Sequence, residues 1–204
     1  GISTIKVHSK LIQIYRQGSK ADSLITYIGT GNFNENTSRI YEDIGLLTAN
    51  VEIGKEVARV FDILDGFRNN IQFDYLIVSP FNTRERITEM IQNEIANAQK
   101  GLLASFRMKL NNLVDEELIE LLYEASNAGV KIDLIVRGIC SLVPGVKGMS
   151  KNINVRSIVG RYLEHSRFMI FANGGNPLYF ITSGDWMERN LDRRIEVGAP
   201  IEDP

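Results

Sequence analysis

The stretch Leu163-Glu164-His165-Ser166-Arg167-Phe168-Met169-Ile170-Phe171, continued through Asn173-Gly174-Gly175-Asn176-Pro177 to Leu178-Tyr179-Phe180-Ile181-Thr182-Ser183-Gly184-Asp185, decides how this chain folds. Two apolar, β-rich runs flank a cluster of turn formers, so the segment reads as a hairpin. A histidine and a cation stand at its start and a small-residue turn at its end. The same succession opens the chain: His8-Ser9-Lys10, β-rich residues to Tyr15, turn chemistry over Gln17-Gly18-Ser19-Lys20-Ala21-Asp22, apolar residues from Leu24 to Ile28, then Gly29-Thr30-Gly31-Asn32. The protein has two histidines and each opens one copy. A lone His beside a cation is an ordinary exposed strand residue, whereas two copies followed by the same elements form an internal repeat.

Outward from the hairpins, the rest of the chain alternates strand and helix. The polar run Gly29 to Asn36 reads as a loop placed directly after a strand. Asn50 caps a helix expected to run to about Phe67, with Val57, Val60, Phe61 and Leu64 on its apolar face. After Asn69-Asn70 the pattern becomes strand (Tyr75 to Ser79), helix, strand (Leu102 to Met108), helix, strand (Ile132 to Val136). Asn82 with Glu85 resembles a capping box for the first of these helices. Asp115-Glu116-Glu117 opens the second and Gly129 closes it. Such βαβαβ order predicts parallel strands. Ile153 to Val159 adds a further strand, and a boundary between two α/β units is expected near residues 70 to 75.

The 204 residues carry 23 Lys+Arg and 25 Asp+Glu, a net charge of −2, which removes the bulk-charge argument for a nucleic-acid partner. With 44% hydrophobic residues the chain has a globular composition. No apolar run approaches the length of a spanning helix. Cys140 is the single cysteine, so a disulfide framework and a multi-thiolate zinc site are excluded, and a reducing compartment is expected. The chain opens on Gly1 with no initiator Met or signal peptide and reads as a piece of a longer protein.

Cations and backbone N–H groups converging on an imidazole make a phosphate site. Alternation along a strand would put each His on the same face as the basic residue two positions on. The Gly-Thr-Gly-Asn and Thr-Ser-Gly-Asp turns would add N–H and hydroxyl donors. Between Lys131 and Arg167, seven cations including Arg137, Arg156, Arg161 and Arg167 face only Asp133 and Glu164. Arg137 ends an apolar strand, at the carboxyl edge where parallel sheets bind ligands. No Walker-type Gly-Lys-Thr occurs.

The paired His-x-basic hairpins resemble the phospholipase D superfamily, although Tyr15 stands where that pattern has Asp, five residues beyond Lys10. A closer resemblance rests on Val7-His8-Ser9-Lys10, on Gly29 to Asn34 with Thr37, Arg39, Tyr41 and Asp43, and on Val136-Arg137-Gly138-Ile139-Cys140. It continues through Ser157-Ile158-Val159-Gly160-Arg161, Leu163 to Arg167, and Asp185-Trp186-Met187 with Arg189 to Arg194. These look like the C-terminal half of the bacterial, phosphohistidine-forming polyphosphate kinases, in order and over essentially the whole chain.

The resemblance implies an α/β fold of two phospholipase D-like units, each a mixed sheet flanked by helices and pseudo-repeated around one cleft. The first, partial unit would span 1–73 and the second, truncated one 74–204. It implies reversible transfer of the ATP terminal phosphate to inorganic polyphosphate, with ATP, ADP and polyphosphate as partners and Mg2+ as cofactor. A homo-oligomer in the cytoplasm, peripheral at the inner membrane, is implied as well. Residue by residue, His8 would be the phosphorylated nucleophile, and Tyr41, Arg137 and His165 would contact the nucleotide. His165 would also face His8 as proton donor, Lys10 and Arg167 would neutralise phosphate oxygens with Arg137, and Thr30, Gly31 and Asn32 would orient His8 or donate to phosphate. The metal ligands stay unknown, the family's metal-associated positions falling upstream of Gly1. A phospholipase D-type phosphodiesterase or phosphatidyltransferase, or an inactive ATP- or polyphosphate-binding fragment, are the alternatives.

Overall fold

The computed structural model describes residues 5–18, 23–67 and 71–202. Ser19 to Asp22 of the expected turn, and Asn69-Asn70, lie outside them. The elements are β1 (Lys6–Val7), β2 (Lys10–Arg16), β3 (Ser23–Gly29), α1 (Glu35–Ser38), β4 (Tyr41–Glu42), β5 (Gly45–Thr48), α2 (Val51–Leu64), β6 (Ile77–Ser79), α3 (Thr83–Gln99) and β7 (Ser105–Leu110). They continue with α4 (Glu116–Ala128), β8 (Lys131–Val136), β9 (Ile153–Arg156), β10 (Leu163–Glu164), β11 (Phe168–Phe171), β12 (Leu178–Thr182), α5 (Glu188–Asp192) and β13 (Arg194–Pro200).

One eight-stranded mixed sheet organises the molecule, in the order β1-β13-β12-β11-β7-β8-β9 with β6 also paired to β13. The α/β class with a mixed sheet is the one expected. Strands β7, β8 and β9 are parallel neighbours, as the alternating pattern predicts. Strand β6 is not their neighbour: it pairs antiparallel with β13, so β11, β12 and β13 lie between it and β7. The hairpin β11–β12 and the returning β13 intercalate because their apolar alternation fits the centre of the sheet. Two smaller assemblies complete the fold, the antiparallel β2-β3-β5 and the parallel two-residue ribbon β10-β4.

Local signals set the helix ends. Asn50 Oδ1 accepts from the N–H groups of Glu52 and Ile53, and Asp115 Oδ1 accepts from Leu118 N. Gly129 closes α4 at φ 102°, a conformation a side chain would resist. Helix α2 ends at Leu64, and its buried face is Ile53, Val57, Val60 and Ile63 while Phe61 turns outward. Asn82 precedes α3 without capping it; its side chain instead bonds Val78 N, Leu76 O and Phe73 O. The run read as a loop after β3 contains the start of α1, capped by Asn34.

Two apolar clusters fill the core. One joins α3 and α4 to the face of the sheet carrying Phe106, Met108, Leu134, Met169 and Phe171. The other packs Ile28 and the buried face of α2 against Phe73, Leu76, Val78, Ile181, Ile195 and Val197, uniting residues from both halves of the repeat. Glu56, buried on α2, accepts from the successive N–H groups of Asp74, Tyr75 and Leu76, which fastens the stretch between the halves. No helix among the described residues is long and apolar enough to cross a membrane.

Candidate active site

The two histidines do not sit on strands, as alternation would have it, but in breaks between them. His8 and Ser9 follow β1, and their N–H groups both donate to Ile195 O, at 2.9 Å each. His165 and Ser166 follow β10, and their N–H groups both donate to Glu42 O, at 3.0 and 2.9 Å. Each break is therefore held by a parallel partner strand from the other half, β1 against β13 and β10 against β4.

The residue after each accepting carbonyl supplies a carboxylate to the histidine. His8 Nδ1 donates to Glu196 Oε2 at 2.8 Å, and His165 Nδ1 to Asp43 Oδ1 at 2.7 Å. A hydroxyl from the small-residue turn supports each carboxylate: Thr30 Oγ1 donates to Asp43 Oδ1 at 2.7 Å and Ser183 Oγ to Glu196 Oε2 at 2.5 Å. Asn190 Nδ2 adds a bond to Glu196 Oε1 at 2.7 Å. Carboxylates that accept from several donors favour the tautomer with Nδ1 protonated, which turns Nε2 of each ring away from its carboxylate; His165 Nε2 lies 3.5 Å from Arg167 Nη1. Burial pushes the Asp43 carboxyl up, but the bonds from His165 and Thr30 and the charges of His165 and Arg167 outweigh it, leaving Asp43 below the usual carboxylate value. Gly31 is required beside it, since a Cβ there would stand 2.5 Å from Asp43 Oδ2.

Lys10 opens β2 and is only 5% exposed, yet its ammonium has no hydrogen-bond partner among the described residues. Burial pushes it down to about 8; Glu196 and Asp43 raise it, while Arg167 and Arg194 lower it further. It thus stands within the fields of the carboxylates that hold both histidines. Tyr41, half-buried on β4, has its ring 4.9 Å from that of His165. Arg137, at the carboxyl end of β8, donates from Nε to Asn111 Oδ1 at 2.8 Å.

Arg167 is bonded within the protein and stays beside the second histidine, its Nη1 3.5 Å from His165 Nε2. Its Nε donates to Asp185 Oδ1 at 2.8 Å and its Nη1 to the His165 carbonyl at 2.8 Å, all buried. Asp185 also accepts from Asn111 N and Asn112 Nδ2. Burial raises that carboxyl, and Arg167, Asn112 and Asn111 together bring it below the usual value. Arg167 therefore pairs through Nε with a protein carboxylate, because Asp185 at the end of the second turn is itself buried and needs a cation. Asn32, its counterpart in the first turn, has an exposed side chain and is not drawn into this network.

Sequence reasoning assigned no role to Glu196, Asp43 or Asn190. A signal existed: 13 positions separate Thr30 from Asp43, and 13 separate Ser183 from Glu196.

Residues 1–70 match the family described as "Polyphosphate kinase C-terminal domain 1", and residues 76–204 match "Polyphosphate kinase C-terminal domain 2". A polyphosphate kinase of Vibrio parahaemolyticus is 52% identical over 206 residues, covering all of this chain and 29% of that protein. The Escherichia coli K12 polyphosphate kinase is 50% identical, covering 98% of this chain and 29% of its own length. The crystal structure of polyphosphate kinase from Porphyromonas gingivalis superposes with a TM-score of 0.92 at 46% identity, over 99% of this chain and 31% of that one. The chain thus spans under a third of the length of these relatives.

Proposed function

This chain belongs to the polyphosphate kinase family, and from that premise we propose that it carries the transfer centre of an enzyme moving the terminal phosphate of ATP reversibly onto inorganic polyphosphate. The observation that carries the reading is Lys10, a buried ammonium without a hydrogen-bond partner among the described residues, within the fields of the two carboxylates that hold the histidines. An anion with several oxygens is the ligand that such a group needs.

In this reading His8 Nε2 attacks the terminal phosphorus of ATP while Glu196 holds the Nδ1 proton. The P–N bond forms as the P–O bond to ADP breaks, and ADP departs. A terminal oxygen of polyphosphate then attacks the same phosphorus, breaking the P–N bond and lengthening the chain by one phosphate. Dividing the transfer lets donor and acceptor use one site in turn. His165, held by Asp43, faces the departing oxygen as hydrogen-bond or proton donor, with Tyr41 on the nucleotide side. Lys10 and Arg137 neutralise the phosphoryl oxygens, which is most of what such a transfer requires. Asn32, exposed beside Gly31, is assigned to an outer phosphate.

The family resemblance implies magnesium, yet among the described residues no group of three or more His, Cys, Asp or Glu could hold a metal ion. We assign the metal to the nucleotide phosphates, where Mg2+ needs at most one or two protein carboxylates beside them. The same resemblance supports a homo-oligomeric, cytoplasmic enzyme at the inner-membrane periphery, with its two units meeting near residue 73.

Incubation with γ-labelled ATP tests the proposal. Acid-labile label should appear on the wild-type protein and be absent from His8→Ala, and it should chase into long chains when polyphosphate is added. Label on His8→Ala at the wild-type level would overturn the assignment of the nucleophile.

A further inference from the structure

The two strand pairs that carry the histidines share a backbone but differ in chemistry. In the β1–β13 pair, the residues preceding His8 and Glu196 are Val7 and Ile195, set in register. In the β10–β4 pair, the residues preceding His165 and Asp43 are Glu164 and Glu42, also in register. Like charges side by side on neighbouring strands repel, and a two-residue ribbon has few backbone bonds to resist it.

Lys109 meets both. It comes from β7, is 7% exposed, and its Nζ donates to Glu164 Oε2 at 2.6 Å, Glu42 Oε2 at 2.8 Å and Ser166 Oγ at 2.7 Å. Ser166 Oγ itself donates to Glu42 Oε2 at 2.6 Å. These three partners flank the site residues directly: Glu42 lies between Tyr41 and Asp43, Glu164 precedes His165, and Ser166 follows it.

We propose that Lys109 is a positioning residue for the His165 end of the site. By joining Glu42, Glu164 and Ser166 it fastens the β4–β10 ribbon to the main sheet and fixes Tyr41, Asp43 and His165 relative to it. The His8 end reaches the same backbone arrangement with the buried side chain of Ile195, so the ionic device belongs to one half only. The proposal rests on the reading of His165 as a transfer group.

Lys109→Met in the intact protein removes the charge while keeping most of the stem. Imidazole nitrogen spectra, assigned with His8→Gln and His165→Gln, should show the His165 Nδ1–H signal shifted or broadened and the His8 signal unmoved. In transfer assays kcat should fall about tenfold or more, with KM for ATP changing less, since misplacing a reacting group costs rate more than binding. Adding Glu42→Gln and Glu164→Gln to Lys109→Met removes the uncompensated carboxylates, and should restore much of the rate and the His165 signal. If Lys109→Met does not fold, Glu42→Gln/Glu164→Gln alone should shift the same signal. An unchanged His165 signal in the folded variant, or a triple variant no better than Lys109→Met, overturns the proposal. A His165 response in a wild-type protein that forms no phosphohistidine would keep the positioning role and remove the phosphotransfer reading.

Discussion

The imidazole of His8 and the carboxylate of Glu196 meet at 2.8 Å although 188 positions separate them in the chain. Asp43 reaches His165 across 122 positions in the opposite sense. Each half of the repeat therefore holds the other's histidine, and neither hairpin has an oriented imidazole by itself.

Glu196→Gln tests this exchange. Three donors converge on Glu196, from His8, Ser183 and Asn190, and an amide would turn one NH2 toward them. Losing a carboxylate that orients a catalytic histidine costs about 10²- to 10⁴-fold in rate. Phosphorylation of the protein by labelled ATP should fall into that range with the circular dichroism unchanged; labelling at the wild-type rate would show that Glu196 does not orient His8.

Lys10 predicts a pH signature. Its folded pKa is down from 10.5 to about 8, chiefly through burial, so between about pH 8 and 10.5 the unfolded chain keeps a proton that the folded one has lost. This residue makes stability rise with pH across that window. Lys10→Met should flatten the rise in urea-unfolding curves and abolish anion binding. An anion bound beside Lys10 restores its proton, so calorimetry of pyrophosphate binding near pH 8 to 9, in buffers of different ionisation enthalpy, should show net proton uptake. Equal proton uptake by wild type and Lys10→Met would refute the placement.

Arg167 and Arg137 should separate cleanly. Arg167→Met leaves Asp185 buried without its cation, and breaking a buried pair from one side costs about 3–5 kcal/mol. Because Asp185 is held below its usual value, its contribution is present above about pH 3.8 and is lost as pH falls through its lower folded value, so acid unfolding of Arg167→Met should begin at higher pH than in wild type. Arg137→Lys should keep the fold and lose transfer rate, since an ammonium lacks the guanidinium fork. A fold-neutral Arg167→Met would contradict the buried ion pair.

Glu56→Ala removes the acceptor of three consecutive N–H groups, those of Asp74, Tyr75 and Leu76. Of the three, the Leu76 donor is buried, and a buried donor left unpaired costs about 1–3 kcal/mol. Hydrogen exchange at 74–76 should accelerate well ahead of that in β7 and β8. Unchanged protection at these amides would mean that Glu56 does not fasten the stretch between the halves.

What the sequence determined by itself was local or repeated. The caps Asn50 and Asp115 and the closing Gly129 act within one helical turn, so residue type and position sufficed. The two histidine hairpins were visible because a rare residue marked the same succession twice, and that echo carried the choice of His8, His165 and Lys10, while the α/β class came from the alternation of strand and helix periods. Tertiary structure decided the rest. Among 25 Asp and Glu, only the crossing of β1 onto β13 and of β10 onto β4 selects Glu196 and Asp43, and no helical or strand period links residues so far apart. The same holds for β6, displaced from β7 by three strands that come later in the chain, and for Arg167, whose cation went to Asp185. A buried charge takes whichever partner the packed core brings within hydrogen-bond reach, and that choice exists only once the sheet has closed around it.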